Sequence, residues 1–274
     1  MDSSSSTGGE MGFWEHVDAL RSVLLRSFAV IAAISIVALV AMPHFFDRFI
    51  LAPCRCDFPL YRLLDGMNGV FLTPDFSTPD FHVELINIRL ASQFLTHVSV
   101  SLWLATIAST PIILYFLWQF IAPALYVHER RAVGRAFAGG ALLFYLGMAT
   151  GYFIVFPITL RFLAEYQISS MVVNQISLDS YIDNFMMLIL IMGLLFELPV
   201  VTWMLGQIGI LSRATFRRYR RHAIVALLIL AAIVTPTGDP FTLFIVFLPI
   251  YALWEIGALL VPSNSQSSQS QSQS

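Results

Sequence analysis

The chain has 274 residues, 57% of them hydrophobic and only 12% charged, with a mean hydropathy of +0.76. A soluble domain of this size could not hide so much apolar surface, which excludes a water-soluble enzyme and sets a nucleic-acid partner aside in favour of the lipid bilayer. The net charge of -2 says little, because in a membrane protein the distribution of charge across the bilayer carries the information.

The first residues, MDSSSSTGGE, lack a positively charged stretch followed by a short apolar core and cleavage site, so the first apolar segment reads as a retained span. Residues 1–11 are expected to be disordered, 12–261 to form one membrane domain, and 262–274, a Ser/Gln tail, to be disordered again. A hydrocarbon core about 30 Å thick needs roughly 20 helical residues. Six segments approach that length, at about 22–42, 92–118, 136–157, 181–205, 222–236 and 241–261. The expected fold is all-α, a polytopic membrane protein with six transmembrane helices, the last two spans short. Between Arg221 and the breaker run TPTGDP only about 15 residues are available, roughly 22 Å of helix. Pro111, Pro157, Pro199 and Pro249 fall in or beside spans, where each removes a donor and favours a bend.

All 15 basic residues are arginines, and their placement sets the orientation. Arg21 and Arg26 precede the first span; Arg130, Arg131 and Arg135 follow the second; Arg213, Arg217, Arg218, Arg220 and Arg221 follow the fourth. The positive-inside rule makes those segments, and both termini, cytoplasmic. In the long first outer loop, about 43–90, arginines are outnumbered by acids. No internal repeat of the kind that marks many secondary transporters is visible.

Acids are scarce on the arginine-rich side, which draws attention to Glu129, beside Arg130 and Arg131, and to Glu15 and Asp18, three residues apart and so on one helical face. Such carboxylates can grip a guanidinium bidentately. They can equally form ordinary interfacial ion pairs, Asp18 with Arg21 and Glu129 with its neighbours, worth at most about 1 kcal/mol each. Glu197 lies within the apolar run MGLLFELPVV, where an ionised acid costs about 2.5 kcal/mol or more, so it must face protein, water or a partner. Glu255, nearer the cytoplasmic end, is more easily solvated. Asp239, after Thr235, Pro236 and Gly238, has the setting of a helix N-cap. Gly238-Asp239 lacks the glycine and the second aspartate that an intramembrane aspartyl protease requires. The six histidines form no metal or nucleophile motif, and no phosphate-binding glycine loop is present, so no metal, cofactor or catalytic residue is expected. Cys54 and Cys56 could join each other, pair between chains or stay free.

Five stretches in order, FIAPALYVHERR, LLFYLGMATGYFIVFP, GLLFELPVV, TPTGDPF and PIYALWEI, resemble the TatC family over roughly residues 12–261. The resemblance implies a non-catalytic receptor of the bacterial inner membrane. Such a receptor binds signal peptides with two consecutive arginines, recruits single-span TatA- and TatB-type partners, and serves in an oligomeric complex that exports folded proteins on the proton-motive force. It also implies a signal-binding role for Glu129, with Phe120 and Pro123 in the same motif, and a role in partner contact for Glu197, Thr235 and Asp239. The family's N-terminal His-Leu-x-Glu-Leu-Arg-x-Arg reads HVDALRSV, so the glutamate position is Ala19 and the last arginine position Val23. Asp18 or Glu15 is then expected to stand in for the absent acid, unless Glu129 works alone. The polar residue that the family often carries four positions after the outer aspartate is Leu243. The alternative function is a secondary transporter of a small cationic or protonated solute, with Glu197 as its intramembrane carboxylate.

Overall fold

A computed structural model describes residues 13–65, 81–122, 127–169, 171, 174–207, 211–235 and 238–261. The expected disordered ends, 1–11 and 262–274, lie outside the described residues. Nine α-helices occur among those described: α1 (Phe13–Phe45), α2 (Pro59–Asp65), α3 (Ser92–Ile121), α4 (Val127–Thr150), α5 (Phe156–Glu165), α6 (Leu178–Leu195), α7 (Leu198–Gln207), α8 (Arg213–Val234) and α9 (Pro240–Leu260). Helix is what lipid demands, since it satisfies every backbone donor and acceptor within the segment. A two-residue parallel pair, Leu85–Ile86 (β1) against Ile176–Ser177 (β2), ties the segment before α3 to the one before α6, and an antiparallel bridge joins Arg55 to His82.

Among the described residues five stretches can cross a membrane by length and composition: Val17–Cys54, Ser92–Ile121, Gly139–Glu165, Leu178–Gly206 and Pro240–Leu260. The chain is thus an all-α, multi-pass membrane protein. The expected fifth span lies in α8, whose first nine residues hold five arginines and leave only a short apolar run to Val234. α9, with 21 residues, has the length to cross. α6 is the central helix: half of its most apolar window is buried, against 6% for α1 at the edge.

α4 and α6 come together on small residues. An added Cβ on Gly147 would lie 2.5 Å from the Met192 carbonyl oxygen, and one on Gly151 would lie 3.0 Å from the Ile189 Cα. Gly147 and Gly151 are spaced as Gly-x-x-x-Gly, the pattern that lets membrane helices approach closely. The prolines act unequally. Pro157 follows a π turn over Gly151–Val155, and Pro199 follows a break after Leu195, whereas Pro43, Pro111 and Pro249 sit inside unbroken helices.

Cross-helix contacts fix the ends. Gly140 meets Glu197 while Gly151 meets Ile189, so α4 runs antiparallel to α6 and α7. Arg213 reaches the Val261 carbonyl at 2.7 Å, and Trp118 meets Gly134. One end therefore holds the starts of α4 and α8 with the ends of α3, α7 and α9, where the arginines cluster.

The opposite end forms a cap around Arg161, a fully buried arginine of α5. Its Nε donates to Glu165 Oε1 at 3.0 Å, and its guanidinium lies 5.2 Å from the Tyr61 ring centroid and 4.8 Å from that of Phe81. Tyr61 in turn shares its hydroxyl proton between the Pro53 and Pro157 carbonyls, at 3.0 and 3.1 Å. Burial pushes its pKa well above the ordinary tyrosine value, so it stays a donor. Cys54 is buried beneath this cap, Cys56 is exposed, and both are free thiols.

Candidate functional site

The candidate recognition residues lie where α3 ends and α4 begins. Trp118 sets that corner: its ring lies against Gly134, where an added Cβ would be only 3.1 Å away, and 5.5 Å from the Phe137 ring. A side chain at residue 134 would press on the Trp118 ring, which would have to give way to admit it. Phe120, in the last turn of α3, is half-buried. Glu129 stands in the first turn of α4, where a carboxylate is favoured by the helix dipole. Its side chain, that of Glu15, and the whole of Pro123 lie outside the described residues.

α1 packs along α3 in the opposite direction, with His97 Nε2 2.8 Å from the Leu39 carbonyl. Twenty-three residues further along α3 is Phe120, and the same number back along α1 is His16. Equal rise in two antiparallel helices thus brings the first two turns of α1, with Glu15 and Asp18, level with the end of α3. Asp18 is exposed there. The ion pair considered for it, with Arg21, is not among those of the described residues, which are Arg89–Asp179, Arg161–Glu165 and Arg220–Glu255.

On the same end, α8 is N-capped by Ser212, whose Oγ accepts from the Thr215 amide at 3.3 Å. Its arginines are partly committed. Arg213 donates to the Leu259 and Val261 carbonyls, closing the C-terminus of α9, and Arg220 pairs with Glu255 at 2.6 Å. Glu255 also accepts from Tyr251 at 2.7 Å, so its place is explained by local pairing.

Glu197 falls in the break between α6 and α7. Its amide bonds the Leu194 carbonyl at 3.1 Å and its carbonyl accepts from Val201 at 3.0 Å, so the helix restarts through this residue. Oε1 is buried with no hydrogen-bond partner among the described residues, and Oε2 lies where a Cβ on Gly140 would be, 2.7 Å away. Gly140 thus makes the room in which the carboxylate sits.

Thr235 and Asp239 belong to the other end. Thr235 is the buried C-cap of α8. Asp239 Oδ1 accepts from the Thr242 amide at 2.7 Å, the expected N-cap of α9, after Gly238 in the left-handed region at φ 61°. Phe241, next along, stacks on Phe162 of α5 at 3.8 Å. Glu197 lies sixteen residues along from Tyr181, itself at the end away from the arginines, or about 24 Å of helix. These three candidates therefore sit at two levels and do not form one site. Sequence reasoning did not single out Arg161; a lone arginine four residues after FIVFP was the available signal.

Residues 15–249 match the family model described as Sec-independent protein translocase protein (TatC). The chain belongs to the TatC family. All eight candidate residues lie inside the matched region. A TatC from Blattabacterium sp. subsp. Periplaneta americana is 34% identical over 248 residues, covering 90% of this chain and 93% of that protein. The TatC of Escherichia coli K12 is 39% identical over 175 residues, 63% of this chain and 66% of that one. A crystal structure of the twin-arginine translocase receptor TatC superposes with a TM-score of 0.69 at 30% identity, covering 90% of this chain and 97% of the other. This TatC-family chain is a component of the Sec-independent, twin-arginine protein translocase, and that assignment displaces the solute carrier considered from sequence.

Proposed function

We propose that this TatC-family chain is the signal receptor of the translocase, lying in a bacterial inner membrane with both termini cytoplasmic. Glu129 binds one guanidinium of a twin-arginine signal peptide, with Phe120 and Pro123 shaping the corner. Asp18 and Glu15 supply the second acidic contact in place of the glutamate missing at Ala19. TatA- and TatB-type single-span partners are then recruited, with Glu197 contributing within the membrane and Thr235 and Asp239 at the outer turn. Folded cargo crosses on the proton-motive force, in a complex of several copies and without a catalytic step.

The observation that carries this reading is the family match together with the antiparallel register of α1 and α3, which sets two scarce acids level with the α3–α4 corner. The test is site-directed photocrosslinking from position 129 to a twin-arginine precursor, with a Lys-Lys precursor as control. Removing the charge with Glu129→Gln loses a charge-assisted bond worth about 1.5–3 kcal/mol, roughly 10- to 150-fold in affinity. Unchanged precursor binding in that variant, with normal levels in the membrane, would remove Glu129 from the site.

A further inference from the structure

The outer ends of α1 and α3 enclose a cavity of about 360 Å³ that the receptor reading does not use. Its inner wall is mostly apolar, with Met42 and Thr96 buried and Phe46 and Leu178 half-buried; Asp47 and Gln93 are exposed at its mouth. His97 also lines it. The Leu39 carbonyl 2.8 Å from His97 Nε2 can only accept, so that nitrogen donates, and in the neutral ring Nδ1 is an acceptor. Asp47 enters none of the ion pairs among the described residues. The cavity lining therefore includes a carboxylate and an imidazole that can accept. A carboxylate and an imidazole acceptor suit a cation that has N–H groups to give.

The level of the cavity narrows the choice further. The first apolar run ends near Met42 and the second begins near Ser92, so the mouth stands at the lipid headgroups and the apolar wall at the acyl chains. The same turns expose Phe45, Phe94 and Leu95, at 47%, 69% and 56%, large side chains that a bilayer covers.

We propose that this cavity binds a phospholipid whose headgroup ends in a primary ammonium, as in phosphoethanolamine. The ammonium N–H groups bond the Asp47 carboxylate and His97 Nδ1, and the Gln93 amide donates to the phosphate. A trimethylated ammonium has the same charge and no N–H to give, so it is disfavoured. Charge alone would not separate the two lipids; hydrogen bonding does.

The experiment reconstitutes the full chain in vesicles of equal phosphatidylethanolamine and phosphatidylcholine with matched acyl chains. The protein is extracted in mild detergent and the retained lipids are counted by mass spectrometry. The ethanolamine lipid should be enriched about ten-fold or more, as loss of one charge-assisted bond implies. Asp47→Ala should bring the ratio close to one, while Asp57→Ala, an exposed acid of the same loop that does not line the cavity, should keep it. Matching melting temperatures exclude misfolding as the cause. Equal retention of both lipids by the parent chain, or undiminished enrichment in Asp47→Ala, would overturn the proposal. So would a photocrosslinker at Pro43, also on the cavity wall, that labels a polypeptide in place of lipid.

Discussion

Gly147→Ala is the sharpest test of how α4 and α6 are held. The added methyl would lie 2.5 Å from the Met192 carbonyl oxygen and 2.7 Å from both Cβ and Cγ of Phe196. Two of those three atoms are fixed to the α6 backbone, so rotating a side chain cannot relieve the clash. The helices must separate, and because Gly151 already brings an added Cβ to 3.0 Å from the Ile189 Cα, separation loosens the next turn as well. Overpacking of this kind costs about 1–3 kcal/mol. Alanine returns part of that, up to about 1 kcal/mol of helix propensity as measured in water. The net loss of about 1–2 kcal/mol lowers the melting temperature of a chain this long by roughly 2–8 °C. Gly139 supplies the internal control: an added Cβ there meets nothing within 4 Å, so Gly139→Ala should be neutral or raise the melting point. Thermal unfolding of the detergent-solubilised protein, followed by tryptophan fluorescence, reads both. A Gly147→Ala protein that melts at or above the parent would refute the packing argument, as would an equal fall in Gly139→Ala.

Because Ala19 breaks the family pattern, Asp18→Asn and Glu15→Gln should each weaken precursor binding and Ala19→Glu should be tolerated or strengthen it; wild-type crosslinking in both neutral variants would show that Glu129 works without them. Glu197→Ala should leave precursor crosslinking intact and reduce transport partially, since interhelical polar contacts are worth only about 0.6–2 kcal/mol; normal transport measured in the same membranes would remove that role. Arg161→Met removes the partner of the quarter-exposed Glu165 and the cation between the Tyr61 and Phe81 rings, so it should cost about 1.5–3 kcal/mol, the worth of a charge-assisted bond. Unchanged protease resistance of the outer loops in that variant would mean the cap does not depend on the arginine.

Much of the fold could be read from composition because lipid narrows the choices: an apolar run of about 20 residues has only helix open to it. The arginine asymmetry was equally legible, and the structure gathers the starts of α4 and α8 at one end. Asp239 was legible as a cap because the Gly-Asp-Pro order specifies its own local geometry. Legibility ended where a residue's meaning depends on a distant neighbour. Nothing in the spacing of residues 85–86 and 176–177 announces a parallel pair ninety residues apart. Arg161 in isolation looks like a misplaced charge near an apolar run, and the rings of Tyr61 and Phe81 from another loop, with Glu165 one turn on, make its burial intelligible. The proposed recognition corner rests on its motif, and the structure adds the level of α1 beside α3.

Glu197 shows the same limit and a way past it. The sequence places an acid in an apolar run, and the expectation of a continuous span follows. Pro199, two residues on, has no N–H for the Leu195 carbonyl, so the helix cannot continue regularly through this point. The break opens between α6 and α7, the acid sits in it, and Gly140 on α4 leaves space for the carboxylate. Gly140 and Glu197 are 57 positions apart, and neither suggests the other. Their pairing makes Gly140→Ala an informative companion to Glu197→Ala. The methyl contacts the mobile end of a flexible side chain and not backbone, so it displaces the carboxylate while the helices stay in place. If the position of the acid matters to transport, Gly140→Ala should reproduce much of the Glu197→Ala defect, and the double variant should be no worse than either alone. An additive double defect would mean that Gly140 serves α4 packing independently, and that the room it leaves for Glu197 is incidental.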